Sequence, residues 1–239
     1  MRYHYDPGRG AGVAMRLLAG FKGYLQTDGY DGYNAVVAAN HLIHVGCMAH
    51  ARRRFSDAVK AQGKNRKRGK AHRGLALIQK LYRIEKQTRQ RDPEQRHAHR
   101  LCHAKPVLEE MRGWLDRSLP QVPPTSATGK ALHYLHNEWP KLIRYLEDGR
   151  LEIDNNAAEN AIRPFVLGRK NWLFSDSVSG VQASANLYSL IETAKANGLE
   201  PYAYLRHVFA ELPKAVTVDA IESLLPGNVA KNRLNIQPV

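Results

Sequence analysis

Only two of the chain's 239 residues are cysteine, Cys47 and Cys102. That is too few for a disulfide framework, so a reducing, cytosolic setting is expected. No apolar run reaches the length of a membrane-spanning helix, and the opening MRYHYDPGRG lacks the apolar stretch of a signal peptide. No membrane partner is expected. Acid is also scarce, with 22 Asp and Glu against 36 Lys and Arg and a formal net charge of +14. This balance excludes an acidic, solvating chain and points to a polyanion, above all nucleic acid. The scarcity is sharpest from Ala58 to Ile84, where no acid occurs while Lys60, Lys64, Arg66, Lys67, Arg68, Lys70, Arg73, Lys80 and Arg83 accumulate. Nine cations without a counter-charge repel one another, and sequence-independent contact with phosphate is the sharper reading than a solvated loop.

What is present is a folded core. The hydrophobic fraction is 43%, and the length suits one large domain or two small ones. Met1 to Tyr5 alternates weakly, as a short strand would, before the turn Asp6-Pro7-Gly8. A brief helix is expected over Val13–Ala19, a strand over Tyr24–Asp28, a second over His41–Cys47 and a helix over Met48–Val59 carrying Arg52, Arg53 and Arg54. Leu75, Ile78, Leu81 and Tyr82 mark an amphipathic helix that Asp92-Pro93 is expected to close. Further helices follow at Val107–Leu119, Gly129–Leu146, Gly180–Asn197 and from Pro201 to about Leu212. The tail from Pro226 is polar, and Asn171 to Phe174 is an aromatic run expected to close on the sheet.

Two carboxylates stand out. Asp28 ends an apolar, β-prone run, the position at which open α/β sheets place ligand chemistry, although Asp-Gly is equally a turn former. Glu159 sits among Ala157, Ala158 and Ala161, and on a helix it shares a face with Ile162, Arg163 and Val166. An ordinary capped helix explains Glu159 alone. Its neighbours Arg163, Arg169 and Lys170 favour a carboxylate beside bound phosphate. Asp154, Asn155 or Asn156 can cap that helix, and Pro164 is expected to kink or end it. Cys47 and His50 form a Cys-x-x-His pair with no further ligands at zinc-site spacing, so both are assigned structural roles, as are Asn155 and Asn156. His99, Cys102 and His103 place only His99 and His103 on one face, a weak metal candidate.

Three blocks then coincide: LAGFKGYLQTDGYDGYN, HVGCMAHARRRF, and EDGRLEIDNNAAENAIRPFVLGRKNWLF followed by LYSLIETAKANGLEPYAYL. Together they resemble the carboxyl-terminal part of the IS66-family insertion-sequence transposases over nearly the whole chain. The resemblance implies an α/β fold, an incomplete ribonuclease H-like core of the DDE type that is helix-dominated overall, with a large helical insertion and a helical C-terminal region. Residues 1–57 would be the partial core, 58–147 the basic insertion, 148–212 the remainder of the core with C-terminal helices, and 213–239 a tail. By position, Asp28 corresponds to the second catalytic acid and Glu159 to the third, both ligands of Mg²⁺ or Mn²⁺. The Cys47–His50 pair resembles an element that follows the second acid in several DDE families.

MRYHYDP looks like the third strand of that core, so the first Asp, carried by the first strand, would lie ahead of Met1. A truncated transposase with weak or no catalysis by itself is therefore expected. The implied partners are DNA, further protomers for synapsis and accessory transposition proteins, in a bacterial cytoplasm at the nucleoid. Arg52, Arg53, Arg66, Lys67, Arg68, Arg163, Arg169 and Lys170 are assigned to DNA. The rival reading is a non-catalytic DNA-binding remnant or accessory piece, and a third is a ribonuclease H-like nuclease of other function.

Overall fold

The computed structural model describes residues 1–62, 68–172 and 176–229. The chain divides into two compact units: Gly8–Ala157, and Met1–Pro7 with the residues from Ala158 onward.

The first unit opens with α1 (Ala11–Leu17), β1 (Tyr24–Gln26), α2 (Asn34–Asn40) and β2 (Ile43–Val45). The strands pair in parallel, with Tyr24 opposite Ile43 and Gln26 opposite Val45, and α2 supplies the crossover that a parallel pair requires. Both strands are shorter than expected. His41 adopts a left-handed φ of 53° as it closes α2, so it cannot begin the second strand. Four long helices follow: α3 (Met48–Ala61), α4 (Lys70–Thr88), α5 (Pro93–Ser118) and α6 (Ala127–Leu142). On α3 the buried residues Met48, Ala51, Phe55 and Ala58 recur at helical spacing, which leaves Arg52, Arg53 and Arg54 exposed. Their apolar face joins Leu77, Ile78 and Leu81 of α4, Leu108, Met111 and Leu115 of α5, and Leu132 and Leu135 of α6 in one core. Gly74 is required there, because a Cβ would meet the Phe55 ring at 2.7 Å.

Asp92-Pro93 opens a helix rather than closing one. The Asp92 carboxylate accepts the Gln95 amide at 2.8 Å and Pro93 takes the first helical position, where its missing N–H costs nothing. The resulting 26-residue α5 runs through Pro106, so the helix expected from Val107 is the second half of a longer one.

The centre of this unit is polar. Arg100 is fully buried and all five guanidinium protons are used. Nε and Nη2 donate to the two Glu85 oxygens at 2.8 and 2.7 Å. Nη1 donates to the Tyr145 and Asp148 carbonyls at 2.9 and 3.0 Å, and Nη2 also donates to the Leu151 carbonyl at 2.8 Å. Arg96 extends the network, bridging Glu85 at 3.1 Å and Glu152 at 2.7 Å. The segment after α6 is thereby tied to α4 and α5. Gly149 lies so close to Pro93 that a Cβ would overlap its carbonyl oxygen.

The second unit is helical: α7 (Asn156–Trp172), which starts at the last residues of the first unit, then α8 (Val178–Ala196), α9 (Pro201–Glu211) and α10 (Val218–Glu222). Met1 to Tyr5 is not a strand, which corrects the expectation of a third strand there. The Tyr3 ring is held by aromatic contacts with Phe165 at 6.2 Å and Tyr188 at 6.3 Å, the Tyr3 amide donates to Ser189 Oγ at 2.8 Å, and the terminal ammonium donates to Thr193 Oγ1 at 2.8 Å. Its backbone donors are thus spent on side chains of α8 instead of on a neighbouring strand. Pro164 does not end α7. The Tyr3 hydroxyl donates to the Ala161 carbonyl, next to the Asn160 carbonyl whose helical partner Pro164 removes. A small core of Ala194, Leu199, Tyr204 and Val208 also takes in Leu224 and Val229 beyond α10, and the Tyr204 hydroxyl donates to the Leu224 carbonyl at 2.8 Å. The aromatic run expected to close on the sheet continues into residues 173–175, outside the described residues.

Arg100→Met should destabilise the chain by about 3–5 kcal/mol in urea denaturation, because buried Glu85 would keep only Arg96 as a partner and the Tyr145, Asp148 and Leu151 carbonyls would lose their donor. Adding Glu85→Leu should recover part of that loss, since the three carbonyls stay without their donor. A double variant no more stable than Arg100→Met would show that the pair is not coupled.

Candidate functional site

Asp28 lies two residues beyond the end of β1 and is exposed. Its Oδ1 accepts the Tyr30 amide at 3.1 Å, and Gly29 turns the chain with φ 86°, so the turn-forming role is real. The same turn brings Asp28 to α6. A Cβ on Gly29 would lie 3.4 Å from the Tyr134 hydroxyl and 3.5 Å from Glu138 Oε2. Burial, then the Glu138 carboxylate, pushes the Tyr134 phenol up to about 12, with Asp28 adding in the same sense. Beneath the turn, Thr27 Oγ1 and His44 Nε2 lie 2.7 Å apart, both buried. Burial, then the Lys141 ammonium, lowers the His44 pKa below its usual 6.5. Sequence reasoning did not single out Tyr134, Glu138 or His44, which sit among helical and strand positions that read as core.

Cys47 precedes α3. Its buried Sγ accepts the Asn155 amide at 3.5 Å, and burial raises the thiol pKa, so the neutral thiol dominates at neutral pH. The backbone amide of His50 donates to the Cys47 carbonyl at 3.2 Å. Nearby, Met48 N donates to the Ile153 carbonyl at 3.0 Å, which fastens the 153–155 segment to the start of α3. At the head of α7 the carboxylate that receives the Asn156 amide is that of Asp154, at 3.1 Å; it also accepts Asn156 Nδ2 at 2.9 Å and the Tyr82 hydroxyl at 2.7 Å. Burial, then this bond to Asp154, pushes the Tyr82 phenol far up. Asn155 Oδ1 is buried and accepts no hydrogen bond among the described residues. Glu159 lies in the first turn of α7, half-buried, where an acid favours the helix dipole.

The cations fall into two groups. Arg52, Arg53, Arg68, Arg163, Arg169 and Lys170 are exposed, the last three together on α7, whereas Arg66 and Lys67 lie outside the described residues. Arg52 stacks over the Tyr82 ring at 5.9 Å and Arg54 over Tyr134 at 5.4 Å. Arg73 and Lys80 of α4 are instead paired with Glu110 of α5. No group of three or more His, Cys, Asp or Glu able to hold a metal occurs among the described residues. The His99 and His103 rings do come together, tilted at 49° with centroids 4.2 Å apart, but Nδ1 of His99 faces Arg91 at 3.1 Å and Cys102 is exposed. No helix among the described residues is long and apolar enough to cross a membrane.

With this geometry in hand, comparison with known proteins places the chain. Residues 1–183 match the family described as "Transposase IS66 family", and residues 189–226 match the "IS66 C-terminal element". The chain belongs to the IS66 transposase family. It is 34% identical over 233 residues to the uncharacterized protein y4jD of Sinorhizobium fredii, covering 95% of this chain and 45% of that one. A second protein of that organism, the uncharacterized y4qI, is also 34% identical over 233 residues, 42% of its length. The chain thus spans less than half the length of these relatives. No solved structure matches it.

The His44 environment has a consequence for stability. A histidine whose folded pKa lies below its unfolded value takes up protons more readily unfolded, so stability rises with pH through that window. Stability should therefore be complete above about 6.5 and should fall as the pH drops below it. His99, lowered mainly by burial, acts in the same sense, so the diagnostic is the difference between the wild type and His44→Gln. The variant should show a shallower loss between about pH 7 and 5 in urea denaturation. Parallel curves would exclude His44 as a source of the slope.

Proposed function

We propose that this chain holds DNA and contributes two carboxylates to DNA strand cleavage and strand transfer in insertion-sequence transposition. The observation that carries the reading is the family match across the chain. The parallel β1–α2–β2 unit with Asp28 at its strand end supports a ribonuclease H-like core of the DDE type, with Gly8 to about residue 57 as its partial remnant and α4 to α6 as the helical insertion over 58–147. Glu159, in the first turn of α7, is the second proposed carboxylate, with Arg163, Arg169 and Lys170 on the same helix for phosphate. Arginine suits this work because its planar fork binds phosphate oxygens in pairs. Arg52, Arg53 and Arg68 of the first unit are likewise proposed to contact DNA, and Cys47, His50, Asn155 and Asn156 are proposed to serve structure.

Mg²⁺ or Mn²⁺, which prefer oxygen ligands, would supply charge stabilisation at the phosphorus. The fit to this chain is incomplete: Asp28 and Glu159 are donors of the right class, but the described residues form no three-donor group. That shortfall, with the surplus of exposed cations, also favours the second reading, a non-catalytic DNA-binding role. Action at the bacterial nucleoid, with further protomers and accessory transposition proteins, belongs to the same proposal.

The chain alone should bind duplex DNA with strong salt dependence and should not nick supercoiled plasmid in Mg²⁺ or Mn²⁺ above background. Asp28→Ala and Glu159→Ala should leave binding intact. Nicking lost in both variants would show a working site and overturn the expected inactivity. Nicking indifferent to both would remove these residues from the chemistry, and absence of duplex binding would sink the DNA reading itself.

A further inference from the structure

Gln79, Tyr82, Arg83 and Lys86 recur at three- and four-residue spacing, so they share one face of α4. With Arg52 of α3 they line a shallow pocket of about 290 Å³. At about 30 Å³ per water molecule, it has room for a phosphate group and its hydration. No acid lines it. Arg52, Arg83 and Lys86 are exposed, and none forms an ion pair among the described residues. The other side of α4 is different, since Arg73 and Lys80 are neutralised there by Glu110. One helix thus carries paired cations toward α5 and unpaired cations toward α3.

Asp154, the acid bonded to Tyr82, sets one negative charge against these three cations, since every donor it accepts is neutral: the Tyr82 hydroxyl, the Asn156 amide and Asn156 Nδ2. Tyr82 holds its hydroxyl toward Asp154 while its ring carries the Arg52 guanidinium at 5.9 Å, which fixes Arg52 at the pocket without an ion pair. We propose that this pocket is a seat for the phosphodiester backbone of nucleic acid, with Arg52, Arg83 and Lys86 as charged donors and Gln79 as a neutral one. Backbone, not base, is the ligand because the one aromatic face in the pocket is occupied by Arg52, and cations of this kind contact phosphate without reading sequence. The proposal rests on the DNA-binding reading above and adds Gln79, Arg83 and Lys86 to it.

The test titrates a labelled duplex of arbitrary sequence against the full chain over a series of NaCl concentrations. It compares the wild type, Arg83→Gln with Lys86→Gln, and a control of equal charge, Lys105→Gln with Lys130→Gln, at exposed positions on α5 and α6. The pocket variant should bind more weakly on every duplex, and its plot of log affinity against log salt should be shallower by about 1 per lost contact. The control should retain the wild-type slope. Circular dichroism melts of all three proteins separate a lost contact from a lost fold. A folded pocket variant that matches the control would overturn the seat while leaving DNA binding in place. A wild type that binds no duplex would overturn both.

Discussion

The buried Arg100–Glu85 pair is the constraint on which the first unit depends. A guanidinium in an apolar bundle is tolerable only when every proton has an acceptor. Glu85 supplies two of the five, and the remaining three go to carbonyls of Tyr145, Asp148 and Leu151. Those carbonyls belong to the segment that leads from α6 toward α7. Satisfying one buried charge therefore shapes a stretch of chain that has almost no regular structure of its own.

Beyond that clamp, the same segment is stitched at further points. Gln26 Nε2 donates to the Glu152 carbonyl at 2.8 Å, Met48 N to the Ile153 carbonyl at 3.0 Å, and the Asn155 amide to the Cys47 thiol at 3.5 Å. Strand β1, the start of α3 and the residues ahead of α7 thus share one hydrogen-bonded neighbourhood. Asp28 lies two residues beyond Gln26, and Asp154 sits within the stitched segment. Electrostatics follow the same division of labour: acids inside the bundle are consumed by Arg96, Arg100 and Lys141, so the overall surplus of positive charge is expressed on exposed faces of α3, α4 and α7.

Much of the fold was legible in the residues. The stripes at Leu75, Ile78 and Leu81 and at Leu108, Met111 and Leu115 are long-period signals that a buried helical face must carry, and all six side chains pack in or against the core. Prolines were less legible. Pro93 begins a helix because Asp92 caps it, whereas Pro106 and Pro164 lie inside helices, where tertiary packing offsets one missing hydrogen bond. The strand expected at Met1–Tyr5 failed because alternation over five residues does not say what will accept the backbone donors; Ser189 and Thr193 do.

For the candidate site, the sequence by itself determined the chemistry available: the carboxylates Asp28 and Glu159, the excess of cations and the ordered blocks that mark the IS66 family, all of which are properties of residue identity and local order. Only the tertiary structure decided which cations remain unpaired. Arg83 and Arg73 look alike in the acid-free run, yet Glu110, 37 residues after Arg73, reaches one and not the other. Pairing depends on which helix face meets which neighbour, and that is settled by the packing of α3, α4 and α5, not by spacing along the chain.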